Sequence, residues 1–129
     1  MHVLLVGWDG VVRLYLAEVL GEAGMCVTAA PDAERALARG FVGTPVPGVL
    51  VSDVKFGRGM DGVALAAEAR RRWPGVRVVL MSGTPGHRDR CGLCVHDRFL
   101  PKPFTAAALL RAIGGARDSG CRVPGPGDT

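Results

Sequence analysis

With 129 residues, 48% of them hydrophobic, and a formal net charge of +4, the chain has the size of one ordinary domain that buries a core without disulfides or a structural metal. No apolar run approaches the ~18 residues of a membrane helix. Met1 to Trp8 lacks both the basic start and the small-residue cleavage site of a secretory signal, which points to a cytoplasmic protein with no membrane partner. Cys26, Cys91, Cys94 and Cys121 are too few and too irregularly spaced for a disulfide framework. The basic runs Arg70-Arg71-Arg72 and His87-Arg88-Asp89-Arg90 lack aromatics to stack on bases, so they read as solvated helix faces and nucleic acid is not an expected partner.

From the N-terminus, Val3 to Val6 is a short apolar run broken by Gly7-Trp8-Asp9-Gly10, the pattern of a buried strand and a loop. Between Val11 and Glu22 the residues Val12, Tyr15, Leu16, Val19 and Leu20 recur at helical spacing, so this face is expected to pack on a sheet, with Gly24 stopping the helix. Met25 to Ala29 reads as a weak second strand, and Pro31-Asp32 opens a second helix ending near Gly40. A Gly/Pro-punctuated loop then leads to Gly48-Val-Leu-Val-Ser-Asp53. This unbroken apolar run reads as a strand buried on both faces, with Asp53 at its C-terminal edge.

Asp61 or Gly62 starts a third helix in which Leu65, Ala66, Ala69 and Trp73 share a face, while Glu68 and Arg72 are spaced for an exposed pair; Pro74-Gly75 ends it. Val76 to Met81 is a fourth strand, closing with Ser82-Gly83. The polar stretch Pro85 to Val95 suits a brief or irregular helix, and His96 to Leu100 a short fifth strand. Thr105 caps a last helix carrying Leu109, Leu110 and Ile113. Residues 1–115 form the domain and 116–129 a flexible tail. Strands alternating with helices give a doubly wound, five-stranded parallel sheet with helices on both faces. Gly7-Trp8-Asp9, Asp53, Ser82 and Lys102 then converge on the edge where such sheets bind ligands.

Val49-Leu-Val-Ser-Asp53 with Gly59-Met-Asp-Gly62, Val78-Val-Leu-Met-Ser-Gly83 and Lys102-Pro103-Phe104 stand in an order and spacing that resemble the receiver domain of two-component response regulators, a flavodoxin-like fold, from about His2 to Gly115. The resemblance implies an aspartyl-phosphate switch. Asp53 would accept a phosphoryl group from a histidine kinase or phosphotransfer protein, and Ser82 and Lys102 would contact its oxygens. Phe99 would repack, so that a surface around Phe99, Pro101 and Leu109 to Arg111 meets a downstream protein partner. A carboxylate nucleophile, a hydroxyl donor and an ammonium suit that chemistry. A catalytic role of its own is not implied, and a homodimer stays open.

Receivers normally carry an acidic pair after the first strand, which holds Mg²⁺; here Gly7-Trp8 takes those positions and supplies no carboxylate. Mg²⁺ as a cofactor then depends on Asp9 and Asp53, and Asp9 reads equally well as the N-cap of the first helix. Two functions follow. One is a single-domain response regulator phosphorylated at Asp53, taken as single-domain because the chain stops after its last helix. The other is a phosphorylation-independent pseudo-receiver, an interaction module held by an Asp53 to Lys102 pair with Trp8 across the metal position or against a partner. The loop Lys55-Phe-Gly57-Arg-Gly59 has glycine where the family usually has proline and is expected to be mobile. Separately, His87, Cys91, Cys94 and His96 have a spacing that could ligate zinc, with partly buried thiols as the plainer alternative.

Overall fold

The computed structural model describes residues 1–42, 46–57, 59–84, 86 and 97–118. Strands β1 (His2–Val6), β2 (Cys26–Ala30), β3 (Val49–Asp53), β4 (Arg77–Ser82) and β5 (Arg98–Pro101) pair in parallel in the order β2-β1-β3-β4-β5. Helices α1 (Gly10–Glu22), α2 (Ala33–Val42), α3 (Gly62–Arg72) and α4 (Ala106–Asp118) connect or follow them. The expected doubly wound sheet is the one observed.

Every residue of β1 and β3 is buried, which is why both read as unbroken apolar runs rather than alternating ones. Alternation sorts them between two layers. Val3, Leu5, Val49 and Val51 meet Leu16 and Leu20 of α1 and Leu109 and Ile113 of α4; Leu4, Val6 and Leu50 meet Ala33 and Ala36 of α2 and Leu65, Ala69 and Trp73 around α3. Each such leucine or valine contributes about 1.5–3 kcal/mol by leaving water.

Short polar side chains start the helices. Asp61 Oδ1 accepts from the Ala64 amide at 2.8 Å and Thr105 Oγ1 from the Ala108 amide at 3.0 Å, satisfying donors that a helix N-terminus leaves unpaired. On the outer side of α3, Arg72 Nε donates to Glu68 Oε2 at 2.6 Å and Arg71 also pairs with Glu68. Those two guanidiniums hold the Glu68 carboxyl below its ordinary value. More deeply, Arg70 of α3 pairs with Asp97, whose Oδ1 accepts from the Val78 amide at 3.0 Å. Asp97 thus ties α3 to the start of β4 and β5.

Several boundaries differ from the sequence expectation. β2 and β4 each begin one residue later, and α2 runs past Gly40 to Val42. A single glycine costs a helix only about 1 kcal/mol, and the buried face of Ala33, Ala36 and Leu37 carries α2 across it. β5 begins at Arg98, after Asp97, whose carboxylate bonds Arg70 and the Val78 amide. α4 continues through Asp118, into the segment read as a tail. The expected helix over 85–95, apart from Gly86, the His87/Cys91/Cys94/His96 cluster and residues 119–129 lie outside the described residues.

The largest departure is in α1. Val12 and Tyr15, placed by periodicity on the packed face, are 42% and 54% exposed, and only Leu16 and Leu20 are buried. β1 stops at Val6 while α1 begins at Gly10, so the first turns of α1 project beyond the strand that would have covered them. Helical spacing fixes which residues share a face but not how much sheet lies beneath it.

Candidate functional site

Order 2-1-3-4-5 puts the topological switch point between β1 and β3, and in open α/β sheets the crevice at the C-terminal ends of those strands is where ligands bind. Asp53, the last residue of β3, stands there with 7% of its surface exposed. Its carboxylate has two partners. Lys102 Nζ donates to Oδ1 at 2.6 Å, and the Trp8 backbone amide donates to Oδ2 at 2.9 Å. Strand ends supply both: Trp8 follows β1, and Lys102 follows β5, where its amide bonds the Ser82 carbonyl at 2.9 Å. The Lys102–Pro103 peptide is cis.

Ser82, the last residue of β4, is buried at the same edge, and its Oγ accepts from the Thr84 amide at 3.0 Å. Asp53, Ser82 and Lys102 line one cavity of about 150 Å³, together with Trp8, Lys55 and Thr84. Behind it, the Val54 amide bonds the Met81 carbonyl at 3.0 Å and the Gly62 amide bonds the Val54 carbonyl at 2.6 Å. A Cβ on Gly62 would lie 2.0 Å from the Asp53 carbonyl oxygen. Only glycine lets α3 start this close to the end of β3.

The remaining residues singled out in the sequence separate into distinct places. Asp9 turns to its own helix, Oδ1 accepting from the amides of Val11 at 2.9 Å and Val12 at 3.0 Å, as an N-cap does. Trp8 is 64% exposed, with its indole over Gly57, where an added Cβ would meet Cζ3 at 3.2 Å. Gly57 has φ +93 and Gly59 φ +76, so the loop after Asp53 takes backbone conformations that L side chains rarely adopt. Its far end is tied to α2 by Glu34, which accepts from the Met60 amide at 3.2 Å. Phe99 packs partly buried against the α2/α3 layer and Pro101 is exposed.

Sequence reasoning passed over three features of this edge. Arg13 Nη1 donates to the Gly7 carbonyl at 2.7 Å. Lys55 lines the cavity. Val11, Val12, Leu14 and Tyr15 leave an apolar side of α1 exposed, and a second cavity of about 460 Å³ is walled by Val12 and Tyr15 of α1 and Pro103 and Phe104 before α4. Lys55 sits two residues past the strand-end carboxylate, a spacing that could have flagged it; the exposure of Val12 and Tyr15 had no sequence signal, because both keep helical spacing with the buried Leu16.

A divalent cation of the magnesium type wants several oxygen ligands in near-octahedral array. Position 7 has room for one: a Cβ on Gly7 would lie 3.5 Å from Arg13 Cβ and 3.8 Å from Asp53 Oδ2, ordinary contact distances. What this edge lacks is donor chemistry. Gly7 and Trp8 bring no carboxylate and Asp9 is committed to its helix. Among the described residues no group of three or more His, Cys, Asp or Glu could hold a metal ion. The residues present do not fit resident Mg²⁺.

A parallel sheet of order 2-1-3-4-5 with a strand-end aspartate, serine and lysine gathered at its switch point defines a receiver-type α/β domain. The family model for the response regulator receiver domain matches residues 3–114, and the chain belongs to that family, a signalling domain of two-component systems. It is 32% identical over 114 residues to the DNA-binding transcriptional regulator NtrC of Salmonella typhimurium, covering 81% of this chain and 23% of NtrC. It is 37% identical over 115 residues to the transcriptional regulatory protein AruR of Pseudomonas aeruginosa, covering 84% of this chain and 46% of AruR. The chain thus spans less than half the length of these relatives. Among solved structures, a response regulator receiver protein from Sinorhizobium medicae superimposes with TM-score 0.81 at 26% identity, covering 90% of this chain and 93% of that one. The receiver domain of NtrX from Brucella abortus gives TM-score 0.75 at 28% identity, covering 88% and 96%. Among the described residues no helix is long and apolar enough to cross a membrane.

Proposed function

We propose that this receiver relays a signal by protein contact, with Asp53 as its phosphoacceptor and a histidine kinase or phosphotransfer protein as the donor. The observation that carries this is the convergence of Asp53, Ser82 and Lys102 on one cavity, with Lys102 Nζ 2.6 Å from the carboxylate. In the transfer an Asp53 oxygen forms the new O–P bond as the donor's P–N bond to histidine breaks, and the imidazole leaves with the electron pair and takes a proton from water. Lys102 neutralises charge on the phosphoryl oxygens and Ser82 donates to one of them. The added charge of about −1.5 to −2 draws the Ser82 loop inward and biases the surface near Phe99 and Pro101. The exposed apolar side of α1, Val11, Leu14 and Tyr15, is the surface we assign to partner contact. The protein acts through contact rather than as an enzyme.

A second reading, a phosphorylation-independent module, is favoured by one observation: both Asp53 oxygens are engaged, one by Lys102 and one by the Trp8 amide. Intact-mass analysis after incubation with a small-molecule acyl phosphate or phosphoramidate, beside Asp53→Asn, separates the two. An adduct that vanishes in Asp53→Asn supports the switch. No adduct under conditions that label an ordinary receiver rejects it in favour of the static module.

A further inference from the structure

Positive charge dominates the cavity that holds Asp53, whereas a magnesium-dependent phosphoryl site would gather acids. Its lining includes Lys102, whose ammonium bonds Asp53 Oδ1 at 2.6 Å, and the exposed Lys55, against the single carboxylate of Asp53, together with the hydroxyl-bearing Ser82 and Thr84. The Arg13 guanidinium, bonded to the Gly7 carbonyl, adds positive charge behind. Charge of that sign in a partly enclosed site attracts anions and repels a divalent cation. Two hydroxyls and two ammonium groups are the donors that a tetrahedral oxyanion accepts, and about 150 Å³ is ample for one.

We infer that this cavity binds a phosphate-class oxyanion directly, its charge balanced by Lys102 and Lys55 with no divalent cation. The inference rests on the phosphoryl-accepting reading of the same cavity and adds what supplies the positive charge there. In the ground state the Asp53 carboxylate is the internal anion that holds Lys102; an entering oxyanion competes with it for that ammonium. Removing the carboxylate therefore strengthens non-covalent anion binding while abolishing covalent transfer, so failure of one reading is distinguishable from failure of the other.

The test is a titration with inorganic phosphate in metal-stripped buffer at constant ionic strength, followed by calorimetry and by the amide resonances of Trp8 and Thr84. It is repeated with excess MgCl₂ and on Asp53→Asn, Lys102→Gln and Lys55→Gln. A unit charge at about 4 Å is worth roughly a fivefold change in affinity even at the dielectric of water. Asp53→Asn is expected to bind phosphate at least about fivefold more tightly, and Lys102→Gln at least about fivefold more weakly, both unmoved by MgCl₂. Lys55 is exposed, so Lys55→Gln keeps the fold and weakens binding in the same direction should Lys102→Gln fail to fold. Binding that appears only with MgCl₂, or that weakens in Asp53→Asn, overturns the inference.

Discussion

Gly62→Ala is the substitution that most directly probes how β3 is clamped. An alanine Cβ would sit 2.0 Å from the Asp53 carbonyl oxygen and 2.9 Å from Val54 Cα. Side-chain carbons essentially never approach backbone atoms closer than 3.0 Å, so the start of α3 or the end of β3 must shift by about 1 Å. Overpacking of this kind costs about 1–3 kcal/mol, and because Gly62 is the first residue of α3, the helix-interior propensity of alanine offsets little of it. The net loss of about 2 kcal/mol lowers Tm by roughly 6–10 °C for a chain of this length. The control is Gly21→Ala, inside α1 with nothing within 4 Å of an added Cβ; propensity alone should raise its Tm by roughly 3–5 °C. Thermal unfolding followed by circular dichroism reads both. If Gly62→Ala melts at or above the parent temperature, the close approach does not constrain the strand end and the reasoning fails.

Asp9→Ala is expected to cost about 1 kcal/mol by urea unfolding, with Asp9→Ser restoring nearly all of it, the pattern of an N-cap; a serine no better than alanine would contradict that role. Asp97→Ala, which strands Arg70 and the Val78 amide, should cost about 3 kcal/mol, and Asp97→Asn, which keeps an acceptor for Val78, clearly less, both read as shifts in the urea midpoint. Leu14→Glu should leave stability within about 0.5 kcal/mol, because the site is exposed, while reducing transfer from a cognate kinase and retention on a hydrophobic column; unchanged transfer would remove α1 from the contact surface. Gly7→Asp combined with Trp8→Asp rebuilds a carboxylate cluster around Asp53, and magnesium titration should then give a saturable change in amide resonances that the parent lacks.

Much of the fold was readable because the two central strands are buried on both faces, which leaves an unbroken apolar run that admits few other interpretations. Asp53 and Ser82 were readable for a related reason: each closes such a run, where a parallel sheet exposes its chemistry; Lys102 follows the weaker β5 and was legible through Lys102-Pro103-Phe104. The surroundings were not. Whether Asp9 faced the cavity or its own helix depended on a backbone turn worth about 1 kcal/mol, which composition does not encode. Val12 and Tyr15 kept helical spacing with Leu16, yet the strand beneath them ended too early to cover them. β5 was read from propensity alone and overlaps the observed strand; its start falls at Arg98, after Asp97, whose side chain is held by partners from α3 and β4.

Trp8 and Trp73 are the protein's two tryptophans, and their settings are opposite: 64% exposed at the cavity mouth against 5% exposed in the α2/α3 layer. An indole in water emits at longer wavelength than one in an apolar core, so the two signals are separable by colour. Trp73 reports loss of the core, whereas Trp8, in contact with Gly57 and anchored by its amide to Asp53, reports events at the carboxylate. With phenylalanine at position 73, the residue that displaced the acidic pair becomes a single optical probe of the site it altered.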